Sequence, residues 1–479
     1  MVVHPVVGFD LDMTLVDSAE GILATLEAVG AELGRSLARP AHREAARATI
    51  GLPLEAVCAS WLPPELVGRA VARYRELYPS LGIPRTTLLP GAAAAVDSVR
   101  AHGGRVVVVS AKVEPAVRAV LAHVGLEVDA VEGGRYGAAK GAALRAHGAT
   151  VHVGDHPGDV EGAHAAGALA VAVPTGPHDA GALAAAGAEV VLRDLRDFPA
   201  WFDGDVLDTR LAALEARLRE AGSLLVAFSG GADSALVLAA AVRALVPERV
   251  VAATAVSASL PAAELDAAAA VAQSLGVRHL TPRTDEMARE GYRANSGDRC
   301  FFCKAELLEV LDPLRAERGL AAVATGTNAD DAVAGFRPGI RAAAERGAMT
   351  PLLDAGLTKA QVREASRRWG LPTWDKPAAA CLSSRVAYGI AITPTRLVRV
   401  ERAEAALRSV LAAAGVRVRD LRVRDLGDRA RVDVDTGMVG AVRALPEALA
   451  AVRDSGFAEV EVDPRGFRSG SMNELLTRP

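Results

Sequence analysis

Short apolar runs, each about the length of a single strand, alternate with alanine-rich helical stretches in two separate blocks of this chain. Val6 to Phe9, Val106 to Val109 and Val151 to Val153 belong to the first block, and Leu224 to Phe228, Val250 to Val256 and Ala321 to Ala324 to the second. A strand followed by a helix and another strand builds a parallel sheet, because the crossover helix has to cover a sheet face. The expected fold class is α/β: two doubly wound parallel-sheet domains. Apolar residues make up 51% of the chain but aromatics only 4%, so the cores must be built from Ala, Val and Leu. From about Ala387 the pattern changes to a helix rich in Arg, Glu and Ala, then to alternating stretches such as Arg431 to Asp435 and Val460 to Asp463. Such alternation suits half-solvated strands, hence a small α+β third domain. The expected boundaries are 1–204, 205–386 and 387–479; the first follows Phe198 to Asp205, after which leucines fall at helical spacing.

Composition removes several classes of function. A net charge of −4 argues against general nucleic-acid binding or attachment to a membrane surface. No apolar run approaches the roughly 20 residues that a membrane helix requires. Met1 to Phe9 carries no basic stretch of the kind that opens a signal peptide. Four cysteines in 479 residues are not a disulfide framework, so a reducing cytoplasm is the expected location.

In the first block, Asp10-Leu11-Asp12-Met13-Thr14 closes the first strand. Carboxylates two residues apart at a strand end face one site, where one can attack phosphorus and the other protonate the leaving oxygen. Ser110 closes the strand at Val109, Lys140 follows Gly133 and Gly134, and Gly154-Asp155-His156-Pro157-Gly158-Asp159 closes the strand at Val153. This ordered set resembles the haloacid dehalogenase (HAD) superfamily over about residues 1–200. The resemblance implies that Asp10 is the nucleophile and Asp12 the acid and base. It also implies that Ser110 and Lys140 hold the phosphoryl oxygens, and that Asp155 and Asp159 share a Mg²⁺ site with Asp10 and the main-chain carbonyl of Asp12. The insertion at about 19–81 resembles the small helical cap of the phosphoglycolate-phosphatase branch, and Cys58 within it reads as core filler. A contribution of this block to the chemistry of the second, by trimming a phosphorylated precursor or by-product, is a further expectation.

In the second block, Ser229-Gly230-Gly231-Ala232-Asp233-Ser234 lies between a strand and a helix start. Main-chain N–H groups of such a turn, with the helix dipole behind them, are suited to hold a polyphosphate. No Gly-Lys-Ser/Thr follows, so this is not a Walker loop. The turn resembles the pyrophosphate (PP) loop of ATP pyrophosphatases. Asp233, Asp330 and Asp331 are candidate Mg²⁺ or ribose contacts, with helix capping as the alternative.

Further motifs follow in order: Asp298-Arg299-Cys300-Phe301-Phe302-Cys303-Lys304, Gly326 to Asp331, Arg337-Pro338-Gly339, Trp374 to Pro377, Ala380 to Arg385, and Gly466 to Glu474. Together they resemble the LarE family, ATP-dependent sulfur transferases that build the nickel-pincer nucleotide. The resemblance covers about residues 206–479. It implies a mononucleotide substrate, pyridinium-3,5-biscarboxylic acid mononucleotide, whose carboxylates are adenylated and converted to thiocarboxylates. It also implies a homo-oligomer, a hexamer in that family. Single-cysteine members give up the sulfur of the residue matching Cys381, whereas members with all three cysteines hold a [4Fe-4S] cluster that carries an extra sulfide. Both routes are open here, as is structural or zinc use of Cys300, Cys303 and Cys381, although no histidine lies near them in sequence. Arg385, Lys376 and Lys304 are the cations expected to favour the Cys381 thiolate.

Eleven arginines fall between Arg385 and Arg431, either as a solvated basic face or as a pocket for the substrate phosphate. Arg422, Arg424, Arg468 and Ser469 are the phosphate candidates, because guanidinium matches phosphate bidentately. No aromatic-basic interleaving suggests nucleic acid. The rival readings are another adenylating enzyme of the pyrophosphatase type, a tRNA thiolase or amide-forming synthetase, and a first block that only docks partners.

Overall fold

The structure is a computed structural model, and it describes residues 4–35, 40–333, 338–377, 381–468 and 472. The chain separates into two compact units, one ending at Asp208 and the other beginning at Thr209. The helix Phe198–Ala221 carries the chain from the first to the second.

Strands of the first unit are β1 (Val6–Phe9), β2 (Val16–Asp17), β3 (Thr87–Leu88), β4 (Arg105–Val109), β5 (Ala130–Glu132), β6 (Val151–Gly154), β7 (Leu169–Ala172) and β8 (Val190–Val191). Six of them form one parallel sheet in the order β5-β4-β1-β6-β7-β8. Valine dominates the central strands because helices cover both sheet faces, and every residue of β4 except Arg105 is buried. In register, Phe9 lies between Val108 and Val153. The chain therefore leaves the three central strands along one edge, with Asp10, Ser110 and Asp155 in a row. The small antiparallel pair β2–β3 brackets the helical insertion, whose helices are Ala19–Glu32, Pro40–Arg47, Leu54–Ala59 and Pro64–Leu81. Cys58 is fully buried there, and burial pushes its thiol up to about 11, as suits an inert core residue.

The second unit has a four-stranded parallel sheet of β9 (Leu224–Ala227), β10 (Val250–Ala253), β11 (Arg278–Leu280) and β12 (Ala322–Ala324), in the order β11-β10-β9-β12. A third sheet joins β13 (Leu421–Asp425) antiparallel to β14 (Arg429–Val434), which pairs parallel with β15 (Glu459–Val462). Its core takes in Tyr292 and Leu382, with Phe302 and Cys303 packed against it. The alternation along β14 reads as half-solvated, yet Asp433 has no exposure at all. Arg424 and Arg431 satisfy it at 2.8 and 3.0 Å, so ion pairs rather than water cover the polar positions. Among the described residues, no helix is long and apolar enough to cross a membrane.

Candidate active sites

At the sheet edge of the first unit, Asp10, Asp155 and Asp159 bring carboxylate oxygens within 4.8 Å of one another. Asp10 follows β1, Asp155 follows β6, and Asp159 lies in the first turn of the helix Pro157–Ala166, where it also closes a capping box with His156. Lys140, on the helix Ala138–His147, reaches Asp10 and Asp159 at 2.5 Å each. If all three carboxylates ionise, as they would on binding a cation, one ammonium leaves two negative charges uncompensated. His152 adds none, because burial lowers its pKa and keeps it neutral. Burial drives the Asp10 and Asp155 carboxyls upward, whereas Lys140 and His152 hold Asp159 below the usual range against its own burial.

The Asp155 side chain gives direct evidence of a fit to a cation. Its Oδ1 accepts from Thr14 at 3.0 Å, but its buried Oδ2 has no hydrogen-bond partner among the described residues. Gly176 makes room for that oxygen, since a Cβ there would come within 1.7 Å of it. An all-oxygen set short of positive charge, with one aimed and unpartnered carboxylate oxygen, suits Mg²⁺.

Asp12 stands outside this group, because Ser18 and Lys112 donate to its Oδ1 at 2.6 and 2.7 Å. Ser110 is buried beside it and accepts from the Lys112 amide at 3.2 Å. Lys112 is a functional candidate that the sequence reading passed over, although it follows Ser110 by only two residues. Its ammonium also meets the Tyr78 hydroxyl at 2.7 Å, a contact across 34 residues with no local signature.

In the second unit the Ser229–Ser234 turn lies between β9 and the helix Ala232–Ala244. Gly230 takes φ +69°, in the left-handed region that glycine tolerates without strain. Ser229 and Ser234 hydroxyls meet at 3.1 Å, and Ser234 also accepts from the Ser229 amide at 3.2 Å. A cavity of about 280 Å³ opens beside the turn, lined by Ser229, Asp233, Ser234, Leu260, Lys304 and Asp331 among others.

The fold supplies the cations that the turn lacks in sequence. Lys359 pairs with Asp233, which also accepts from Asn328 at 3.0 Å. Lys376 reaches the Gly230 carbonyl at 3.0 Å and Glu264 at 2.7 Å, so it belongs to this turn rather than to Cys381. Lys304 is half-buried at the cavity wall. Asp330 differs from its expected role: it is exposed, is not part of the cavity lining, and accepts from the Lys359 amide at 2.7 Å at the start of the helix Lys359–Arg368. That is the capping alternative, acting on a different helix from its own.

Cys300 and Cys303 lie one turn apart on the helix Arg299–Glu317, and Cys381 precedes the short 3-10 turn Leu382–Arg385. Burial raises the Cys303 thiol, with Cys381 and Cys300 close enough to raise it further. The Arg385 guanidinium pairs with Glu404 at 2.9 Å and meets the main-chain carbonyl of Cys381 at 3.0 Å. A cation that faces the thiols is Arg299, buried and tied to Asn295 at 2.6 Å and the Ser383 carbonyl at 2.9 Å, with Cys381 and Cys300 within electrostatic reach, and Lys304 lies within reach of Cys303.

Among the arginines offered for the phosphate, Arg424 is committed to Asp433 and to the Ser384 carbonyl at 3.2 Å. Arg422 lies over the Phe467 ring at 5.4 Å, with Arg385 and Arg424 nearby. Arg468 is half-buried, and Ser469 lies outside the described residues. Arg337, Ala380 and most of Gly466 to Glu474 beyond Arg468 also fall outside them.

Comparison with known proteins agrees with both halves of this geometry. The haloacid dehalogenase-like hydrolase model matches residues 7–164, a second HAD-hydrolase-like model residues 131–198, and the asparagine synthase model residues 206–429. An uncharacterised protein of Synechocystis is 40% identical over 276 residues, 57% of this chain and 100% of its own. The pyridinium-3,5-bisthiocarboxylic acid mononucleotide synthase of Lactiplantibacillus plantarum is 33% identical over 273 residues, 57% of this chain and 96% of that protein. The chain belongs to the LarE family. Ahead of its LarE-like PP-loop unit, this family member carries a HAD-like hydrolase domain. That part is 29% identical over 181 residues to the tyrosine-protein kinase PtkA of Mycobacterium tuberculosis, 35% of this chain and 61% of that protein.

Proposed function

We propose that the second unit of this LarE-family enzyme adenylates the carboxylates of pyridinium-3,5-biscarboxylic acid mononucleotide and converts them to thiocarboxylates, and that the first is a Mg²⁺-dependent phosphomonoester hydrolase. The observation that carries the sulfur chemistry is a shared wall. Leu260 and Lys304 line the cavity beside the glycine turn. Lys304 follows Cys303 in the chain, and the Leu382 amide next to Cys381 donates to the Ser259 carbonyl at 2.9 Å.

A carboxylate is a poor electrophile at neutral pH. Attack of its oxygen on the α-phosphorus of ATP releases pyrophosphate and leaves an acyl-adenylate; sulfide then adds at the acyl carbon and AMP departs. Main-chain N–H groups of the turn, with Lys304, Lys359 and Lys376, would hold the departing pyrophosphate, and Asp233 and Asp331 are the carboxylates that would hold its Mg²⁺. The three cysteines fit a [4Fe-4S] cluster by donor chemistry, since a cubane holds its thiolates at separate iron corners, and the cluster would supply sulfide from the corner the protein does not ligate. Asp233→Ala and Ser229→Ala should each lower substrate-dependent pyrophosphate release at least about a hundredfold while leaving phosphatase activity intact. An unchanged rate in either variant would remove the turn from the nucleotide site.

In the first unit, Asp10 attacks phosphorus to give an aspartyl phosphate, and Asp12, oriented by Ser18 and Lys112, protonates the leaving oxygen. Lys140 and Ser110 hold the phosphoryl oxygens. Mg²⁺ held by Asp10, Asp155 and Asp159 would offset charge on the transferring group. Because a ligand bound only by the folded state stabilises it, Mg²⁺ at a hundred times its Kd should stabilise this unit by about 2.7 kcal/mol. Thermal unfolding with and without Mg²⁺ measures this, and Asp155→Asn should remove most of the shift. A shift unchanged in Asp155→Asn would place the cation elsewhere.

A further inference from the structure

The substrate of the first unit can be narrowed by the cavity that opens over its carboxylates. This step rests on the phosphomonoester reading of the same site. The cavity measures about 340 Å³, with Asp10, Asp12, Ser110 and Lys112 in its lining. Its walls come from the helical insertion, through Ile50, Leu52, Leu54, Val57 and Tyr74, and from Ala116 on the helix Glu114–Val124. These side chains offer a leaving group mainly hydrocarbon and aromatic surface, with Glu55, Arg75 and the tyrosine hydroxyls as the polar exceptions.

The charged groups along the walls are already matched to one another. Arg75 pairs with Glu55 at 2.9 Å. Lys112 is held by the Asp12 carboxylate and the Tyr78 hydroxyl, each at 2.7 Å, with its ammonium 4.3 Å from the Tyr78 ring centre. Among the described lining residues, a second anionic group on the substrate, such as the carboxylate of phosphoglycolate, would have to compete with Glu55 for Arg75 or with Asp12 for Lys112. Away from the carboxylates at the reacting end, a sugar or polyol would find acceptors at Glu55 and the tyrosine hydroxyls and would bury its other hydroxyls against aliphatic walls.

We propose that the first unit takes phosphomonoesters of apolar alcohols, alkyl or aryl, with no charge beyond the phosphate itself. The pyridinium mononucleotide, with its ribose and carboxylates, falls among the disfavoured esters, so the expected trimming of a precursor of that cofactor is not the assignment this cavity favours.

The test is kcat/KM of the full-length, Mg²⁺-loaded protein on methyl, butyl and hexyl phosphate, against glycerol phosphate, ribose 5-phosphate and phosphoglycolate. The alkyl series should rise about fourfold per methylene until the cavity is full. Ala116→Leu, which narrows the wall, should cut the rise short and lower the ratio of kcat/KM for hexyl phosphate to that for methyl phosphate. A flat alkyl series, or a preference for glycerol phosphate, ribose 5-phosphate or phosphoglycolate, would overturn the proposal while leaving the hydrolase reading in place. No turnover of any ester, methyl phosphate included, would overturn the hydrolase reading and the proposal with it.

Discussion

Asp10→Asn should lower Mg²⁺-dependent phosphomonoester hydrolysis by at least about a thousandfold, because an amide cannot supply the attacking oxygen and the remaining groups work only as a unit with it. The fold should survive the change. Asp10 sits among Lys140, Asp155 and Asp159, where burial already opposes its ionised form, so a neutral isostere removes charge from a crowded site. Steady-state release of inorganic phosphate from methyl phosphate, together with trapping of the aspartyl phosphate, measures the effect. Hydrolysis that persists at the wild-type rate in Asp10→Asn would take Asp10 out of the nucleophile role. A wild-type protein that turned over no phosphate ester would support a first unit that only docks partners.

The second large effect concerns sulfur. Cys300→Ala, Cys303→Ala and Cys381→Ala should each abolish both the iron–sulfur absorbance of anaerobically purified protein and thiocarboxylate formation, because two thiolates hold such a cluster poorly. Cys300 is the most telling of the three: it is exposed, so its replacement should leave packing untouched, whereas Cys303 also packs against the core of the third sheet. Under the sacrificial route Cys300→Ala would keep most of its activity, and spent protein would have lost the mass of one H₂S at Cys381. Intact-protein mass spectrometry after reaction separates these outcomes. An unchanged Cys381 after several turnovers agrees with the cluster; quantitative dehydroalanine there contradicts it.

How far the site could be read from sequence depended on how its residues are carried. Asp10, Ser110 and Asp155 were legible because each ends a short apolar strand, and parallel pairing of β1, β4 and β6 then sets them side by side. The glycine turn was legible for the same reason, as a strand end followed directly by a helix. Lys112, Lys359 and Arg299 were not, because their partners lie at distant points of the chain: Lys359 meets Asp233 across 126 residues. Lys376 shows the opposite error. Five residues from Cys381 in sequence, it turns instead to Gly230 and Glu264, since nearness along a chain fixes no side-chain direction outside a regular element. The arginines of the third sheet misled through their alternation, which normally marks a wet face; here Asp433 and Glu404 lie buried with them.

The most direct test of the central claim is to incubate the anaerobically purified protein with ATP, Mg²⁺, sulfide and pyridinium-3,5-biscarboxylic acid mononucleotide, and to follow both nucleotides by mass spectrometry. The account predicts AMP and pyrophosphate released only when the mononucleotide is present, with each carboxylate oxygen lost from it replaced by sulfur. ATP cleaved to ADP, or a product bearing nitrogen from added ammonia in place of sulfur, would contradict it.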